Sequence, residues 1–220
     1  MKLLKAITPI LCLFILAGCS DATDSKKSGE NSKDALSENE EVLTQIEEVF
    51  PELFRHLASA DSSFSSEGFE GGQTEIKTDS SDQPISNEKI VKYMPFLVFN
   101  ADSTYAIDLV SNNYVPVERN DKIILAEGGP DFEVGLIDLR NNKRKELLFF
   151  GTMGTVLDAN WVDNQTLLIA GANEVTGDSL RPVIWKYQIP TRAWYVYTYE
   201  NMIPVEAGGY QKKWLPETAD

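Results

Sequence analysis

The sequence predicts a mostly β fold, an antiparallel meander preceded by a short N-terminal helical segment. From residue 96 onward, short runs rich in Val, Ile, Leu, Phe, Tyr and Thr are separated by turns rich in Asn, Gly, Asp and Pro. Before that point, apolar residues recur at helical spacing within residues 37–59. In addition, pairs of strand-turn-strand stretches recur about 40 to 50 positions apart, which is typical of repeated antiparallel units.

Residues 1–18 have the pattern of a secretory signal peptide. Lys2 and Lys5 precede an apolar run over residues 7–16 that is too short to span a bilayer. The sequence Leu-Ala-Gly-Cys that ends at Cys19 resembles the lipobox of bacterial lipoproteins. This resemblance implies cleavage before Cys19, a diacylglycerol on its sulfur and acylation of its new amino group. The alternative is an ordinary cleaved signal followed by a chance cysteine.

The lipid anchor that this resemblance implies makes the membrane the first expected partner. Two or three acyl chains hold a protein durably on a bilayer, whereas one chain binds only marginally. In the sorting rule of this family, an aspartate directly after the cysteine retains the protein in the inner membrane. Ser20 stands there instead, so we expect a location in the cell envelope at the outer membrane.

Charge and cysteine content exclude several functional classes. The chain has 34 acidic against 20 basic residues and a formal net charge of −14, so we expect no nucleic-acid partner. Cys12 lies in the signal and Cys19 is used for lipid. The mature chain therefore has no thiol for a disulfide, a nucleophile or a zinc site, and we expect neither a cofactor nor a metal.

Three segments precede the β region. Residues 19–36 are polar and aperiodic, which predicts a flexible tether. Residues 37–59 predict an amphipathic helix with a capping box formed by Ser37 and Glu40, and Pro51 should kink it or start a second helix. Residues 60–84 are rich in Ser, Gly and acids and predict a low-complexity linker, in which Phe64 and Phe69 are isolated aromatics.

The β-rich domain is predicted for residues 85–220. It should open with a short helix over residues 86–93 that ends before Pro95. The candidate strands then follow at residues 96–99, 104–110, 122–128, 132–139, 145–151, 166–172, 183–189 and 193–199.

Part of this domain is repeated. Residues 136–151 and 185–200 each predict a strand, a polar turn and a strand, and residues 121–128 resemble residues 164–171. Such units resemble β-propeller blades, but a closed propeller needs at least about four blades, more than this length supplies. We therefore expect meandering sheets that pack on each other or on the N-terminal helix. A shared hairpin pattern is the alternative explanation of the likeness.

The candidate ligand-binding residues are aromatic. Strand alternation places Tyr195, Tyr197 and Tyr199 on one face, where they form a possible platform for sugar rings or a partner strand. Trp185 and Tyr187 on the preceding strand would extend it. The alternative is cross-strand aromatic packing on a half-buried sheet, and the solvent exposure of the three tyrosine rings decides between the two.

No catalytic residue is assigned. Asp108 and Asp138 occupy similar positions in AIDL and LIDL, where they either form paired carboxylates or close turns by accepting backbone N–H groups. His56 is the only histidine and no G-x-S-x-G motif accompanies it, so a structural role is favoured.

The sequence thus predicts a non-catalytic binding or accessory module for an envelope protein or glycan. The alternatives are a carboxylate-dependent envelope hydrolase such as a glycosidase, and a spacer without a ligand.

Overall fold

The computed structural model describes residues 42–76, 81–119, 122–128, 131–151, 154–176, 178–204 and 210. The predictions for the signal peptide, Cys19, the tether and the Ser37–Glu40 capping box lie outside these residues. Within the described part of the chain, no helix has the length and apolar character needed to cross a membrane.

Two consecutive helices form the N-terminal helical segment. Residues 42–49 form α1 and Pro51–Ala60 form α2, so Pro51 starts a second helix, which is one of the two outcomes predicted for it. Proline is well tolerated at the first helical position because the missing N–H has no intrahelical partner there. The backbone N–H of Phe50 donates to the Ile46 carbonyl and that of Phe54 to the Phe50 carbonyl, both at 3.0 Å, so the chain continues across the junction.

Thirteen strands follow within the described residues, together with a third helix, α3 (Asn87–Tyr93), and 3-10 turns at Ser66–Gly68 and Met94–Phe96. The Ser86 hydroxyl caps α3 by accepting the Lys89 N–H at 3.1 Å, which confirms the predicted short helix. The strands are β1 (Phe69–Thr74), β2 (Gln83–Pro84), β3 (Val98–Phe99), β4 (Tyr105–Asp108), β5 (Tyr114–Arg119), β6 (Lys122–Glu127), β7 (Phe132–Asp138), β8 (Lys143–Phe150), β9 (Thr155–Trp161), β10 (Thr166–Thr176), β11 (Ser179–Gln188), β12 (Ala193–Tyr199) and β13 (Ile203–Pro204).

The strands form two antiparallel sheets and a separate hairpin. The first sheet has the order β1-β12-β11-β10-β9, with β13 paired to β11, and the second has the order β2-β8-β7-β4-β3. Each contains a four-strand meander, and the β5–β6 hairpin is inserted between β4 and β7 of the second. The outer strand beside each meander, β1 or β2, comes from the part of the chain that precedes it. The predicted mostly β, antiparallel fold is confirmed.

Two hairpins occupy equivalent places in the two sheets. Asp138 pairs with Lys143 across the β7–β8 turn, and Gln188 pairs with Ala193 across the β11–β12 turn. Equivalent residues therefore lie 50 positions apart (188 − 138), one more than the sequence alignment of residues 136 and 185 predicts. The second sequence likeness, between residues 121–128 and 164–171, relates β6 to β10. These strands have different places in the topology, because β6 belongs to the separate hairpin and β10 is an inner strand of the first sheet. The interpretation of these units as propeller blades stays a prediction.

The first sheet is covered on both faces. One face packs against α1 and α2 through Ile46, Phe50 and Leu57, together with Leu168 and Ile184 of the sheet. Its other face contributes Leu167, Ile169, Val183, Trp185, Tyr187 and Trp194 to a core shared with the second sheet. That core also includes Ile85, Ile90 and Tyr93 on or beside α3. Helices and sheets thus cover each other, as burial of amphipathic faces requires.

The prediction of a low-complexity linker over residues 60–84 is wrong for its described part. Phe64 and Phe69 are 7% and 2% exposed and pack with Phe54 and Tyr199, with ring centroids 4.8 Å apart for Phe64 and Tyr199. Gly68 is required beside them, because a Cβ there would lie 2.3 Å from the Tyr199 ring. The aromatic burial outweighs the polar composition that suggested a linker.

Candidate functional site

The predicted aromatic residues form no common exposed platform. Tyr197 and Tyr199 lie on one face of β12, and Tyr195 packs beside them, as the alternation predicts. That face is covered by α1 and α2, however, and Tyr197 and Tyr199 are each only 2% exposed. Trp185 and Tyr187 belong to the core on the opposite face of the same sheet, so the extension of the platform through them is wrong.

Both aspartates of the similar AIDL and LIDL segments close turns. Oδ1 of Asp108 accepts the backbone N–H groups of Val110 and Ser111 at 3.1 and 2.8 Å. Oδ1 of Asp138 accepts those of Arg140 and Asn141 at 3.0 and 3.1 Å. The turn interpretation is therefore right for both residues, but the two differ in burial, since Asp108 is fully buried.

Asp108 takes part in a buried ion-pair network. Nε of Arg144 donates to Oδ2 of Asp108 at 2.6 Å, and Nη1 of Arg144 donates to Glu133 Oε1. Asp108 is 0% exposed and Arg144 is 9% exposed. The Ser111 hydroxyl also donates to Asp108 Oδ2. Nη2 of Arg144 is buried without a hydrogen-bond partner within the described part of the chain.

Gly135 explains how Arg144 reaches Asp108. The two residues lie on β8 and β4, and β7 runs between these strands. Gly135 of β7 pairs directly with Asp108, and a Cβ there would lie 2.4 Å from Cζ and Nη2 of Arg144. The guanidinium therefore crosses β7 at the one position where that strand carries no side chain, which is a recognised use of glycine within a strand.

Asparagines fix the third member of the network. The Asn113 side chain donates to the Glu133 carbonyl at 2.8 Å and accepts the Glu133 N–H at 2.7 Å. The Asn112 side chain donates to Glu133 Oε2 at 2.8 Å and accepts from Lys89 Nζ at 3.0 Å. Both carboxylate oxygens of Glu133 are thus engaged, one by Arg144 and one by Asn112.

Burial and charge act in opposite directions on the buried pair. Burial raises the pKa of Asp108, but the Arg144 charge and the hydrogen bonds from Ser111 and Arg144 outweigh it and hold that pKa below 3.8. Burial lowers the pKa of Arg144, and the Asp108 and Glu133 carboxylates outweigh it and raise that pKa. Both residues are therefore charged at neutral pH.

A polar cleft of about 630 Å³ opens beside this network, between the β2–β8 edge and the start of α3. We call it the Arg144 cleft. Burial raises the pKa of Glu146 on its wall, and the nearby Glu133 carboxylate raises it further. The residues that line the cleft are Ser81, Gln83, Pro84, Ile85, Ser86, Lys89, Asn112, Glu133, Arg144 and Glu146.

The described residues contain no cluster of three or more His, Cys, Asp or Glu side chains arranged to hold a metal ion. His56 lies on α2 with its ring centroid 5.6 Å from that of Tyr210, on the other side of the first sheet from the Arg144 cleft.

Sequence reasoning missed Arg144, Glu133 and the asparagines. The sequence signal that could have identified Arg144 is the KRKE run that opens β8. Because successive side chains of a strand point to opposite faces, Arg144 lies on the opposite face from Lys143 and Lys145.

Comparisons with protein-family models, curated proteins and solved structures find no match for this chain.

Proposed function

We propose that this chain is a lipoprotein of the bacterial cell envelope, anchored at the outer membrane through lipid on Cys19, with a β-rich non-catalytic binding module. Its ligand is a glycan, free or carried by an envelope protein, and the Arg144 cleft holds it. The lipobox resemblance supports the anchor, and the composition and geometry of the cleft support the ligand class.

The observation that carries the ligand class is the mixture of fixed polar groups in the cleft. Its wall offers guanidinium and ammonium donors, carboxylate acceptors, and amides that do both, from Arg144, Lys89, Glu133 and Gln83. Sugar hydroxyls both donate and accept, so they match such a lining better than an apolar ligand does. The volume of about 630 Å³ is in the range of small-molecule sites.

Carboxylate-dependent hydrolysis is the second candidate, and one observation favours it. Glu133 and Glu146 line the same cleft, and the pKa of Glu146 is raised by burial and then by the charge of Glu133. A carboxyl group whose pKa is raised by burial and by a neighbouring carboxylate is typical of the acid in an acid–base pair. Against this, both oxygens of Glu133 are engaged by Arg144 and Asn112, which leaves a binding role as the better interpretation.

The binding test uses the full chain in detergent and soluble peptidoglycan fragments as the probe. The variants Q83A and K89A change the wall of the cleft and leave the buried pair intact, and K92A changes an exposed lysine of α3 outside the cleft. We expect Q83A and K89A to weaken binding at least about tenfold, a change of 1.4 kcal/mol, and K92A to have no effect. Equal affinities in all three variants would remove the cleft from the proposal.

The same mixtures distinguish the hydrolase. A binding module releases no new reducing ends from the fragments, however long the incubation. Release that is abolished by E146Q and retained in K92A would replace the binding proposal with the enzymatic one.

The anchor has its own test. Mass spectrometry of the N-terminal peptide from native membranes should show Cys19 as the first residue, with acyl chains attached. The C19A variant should leave the membrane fraction. A peptide with a free thiol, or with residues 1–18 still attached, would contradict the proposal.

A further inference from the structure

A second cleft, of about 340 Å³, lies on the opposite face of β8 from the Arg144 cleft. We call it the Lys145 cleft. Strand alternation sends Arg144 and Glu146 to one face of β8, and Lys143 and Lys145 to the other. Tyr105, Tyr187 and Arg192 complete the part of the wall that could hold a ligand.

The charge in this cleft is unusual for the chain. Three basic residues, Lys143, Lys145 and Arg192, line one small cleft in a protein with a net charge of −14. Two acids, Asp82 and Asp138, share the cleft, but Asp138 already accepts hydrogen bonds on both oxygens from its own turn. Among the described residues, no carboxylate oxygen lies within 4.0 Å of the charged nitrogen atoms of these three side chains, the limit for an ion pair.

Lys145 is held among groups that oppose its charge. Burial lowers the pKa of Lys145, and the positive charge of Arg192 lowers it further, against a smaller opposite effect of Asp82. Its Nζ lies 5.8 Å from the centroid of the Tyr187 ring, which itself is only 2% exposed. A negative group in the cleft would relieve the repulsion between Lys145 and Arg192.

The backbone at Arg192 provides an independent observation. Arg192 has φ of 55°, in the left-handed region, at the last position of the β11–β12 turn. The equivalent position of the β7–β8 turn holds Asn142, with φ of 51°, and asparagine is among the residues that adopt this conformation readily. A left-handed conformation is unfavourable for most residues other than glycine, because Cβ lies too close to the following carbonyl oxygen. The chain thus places a cation at the rim of the cleft where an asparagine would fold at lower cost.

From the lining, the three cations without an ion-pair partner among the described residues, and the left-handed backbone of Arg192, we infer that the Lys145 cleft is a binding site for an acidic sugar, a small ring that carries a phosphate or a carboxylate group. The oxyanion interacts with Lys145 and Arg192, with Lys143 at the edge. The ring packs against the tyrosine side of the cleft, where Tyr105 offers an aromatic surface. This site is separate from the Arg144 cleft and stands whether or not a glycan binds there.

Calorimetric titration of the full chain in detergent tests this inference with three probes. Glucose 6-phosphate carries a phosphate, methyl glucuronide carries a carboxylate, and methyl glucoside is the matched neutral sugar. We expect at least one acidic probe to bind, more weakly as salt concentration rises, and the neutral probe not to bind. Binding of the phosphate alone, the carboxylate alone or both identifies the group and supports the site.

The variants R192N and K145Q should each weaken that binding at least about tenfold. R192N is chosen because asparagine keeps the left-handed turn, so a loss of binding there reports the missing charge and not a misfolded turn. K186Q is the matched control, since Lys186 lies over the Tyr195 ring on the other face of the first sheet. Binding of the neutral sugar as tightly as the acidic ones, an equal loss in K186Q, or no binding of either acidic probe would overturn the inference.

Discussion

The Nε of Arg144 donates to Oδ2 of Asp108 at 2.6 Å, across 36 positions of sequence and over an intervening strand. Both residues are buried, and Glu133 accepts a second hydrogen bond from the same guanidinium. The pair joins β4 to β8 on the face of the second sheet that borders the Arg144 cleft. It therefore links the stability of the sheet to the shape of the proposed ligand site.

Replacement of Arg144 by methionine should strongly destabilise the fold. The change leaves Asp108 charged and buried without its partner, and breaking a buried pair in this way costs about 3–5 kcal/mol. Urea unfolding at pH 7, followed by circular dichroism, measures the loss. The control is R140A, which removes an exposed arginine of the adjoining turn; an equal effect of the two variants would contradict a structural role for the pair.

The same pair predicts a pH dependence of stability. Burial raises the pKa of Asp108, but Arg144 and the hydrogen bonds lower it below its ordinary value of 3.8 in the folded protein. Its stabilising contribution is therefore fully present above the unfolded pKa, and it is lost as the pH falls through 3.8 and then through the lower folded pKa. The free energy of unfolding should fall as the pH is lowered from 6 to about 2.5, a range chosen to bracket that pKa.

The D108N variant is the comparison for that titration. It should be less stable at pH 7 and should lose less stability on acidification than the wild-type chain. The free energy of unfolding of D108N should still fall somewhat on acidification, because hydrogen bonds from Ser63 and Thr104 lower the pKa values of Asp61 and Asp102 in the folded protein. Parallel curves for the two proteins would show that Asp108 is not the titrating group.

Gly135→Ala should disrupt the network without removing any charged group. A Cβ at this position lies 2.4 Å from the Arg144 guanidinium, so the arginine must move and its bond to Asp108 must lengthen or break. We expect a loss of about 1–3 kcal/mol, the usual cost of overpacking. Gly72→Ala is the matched control, since a Cβ there has no atom within 4 Å. Thermal unfolding measures the midpoint of both variants. Similar midpoints would contradict the crossing of the Arg144 side chain over Gly135.

Phe69→Ala tests the correction of the linker prediction. The ring is 2% exposed and lies 5.2 Å from Tyr199 between ring centroids, so its removal should cost about 3–5 kcal/mol. A mobile linker would tolerate the change. Phe149→Ala removes a ring that is 58% exposed and should have a much smaller effect. Equal urea midpoints for F69A and the wild-type chain would restore the linker interpretation.

Local sequence patterns predicted the strands better than the contacts between them. Each of the eight predicted strands overlaps an observed strand, because their β-branched and aromatic residues are favoured on a half-buried sheet. The strand predicted for residues 96–99 is reduced to Val98–Phe99, since Phe96 belongs to the 3-10 turn before it. The missed strands carry residues that argue against a strand, such as Pro116 in β5 and the glycine pair in β1. Proline is accepted in β5 because that strand belongs to a two-stranded hairpin, where it has one free edge.

The candidate site required information that period and composition do not contain. Alternation correctly grouped Tyr197 with Tyr199, but it did not show that α1 and α2 cover that face. Asp108 was singled out for its turn, and its partner Arg144 lies two strands away across Gly135. Such long-range pairs depend on strand order, which a single sequence specifies only weakly.

The positions of β1 and β2 determine when this protein is able to finish folding. Residues 69–74 are synthesised early, yet their hydrogen-bonding partner is β12, with Phe69 opposite Tyr199. Until that last long strand has been synthesised, β1 lacks the strand that it pairs with, so the first sheet cannot reach its full width.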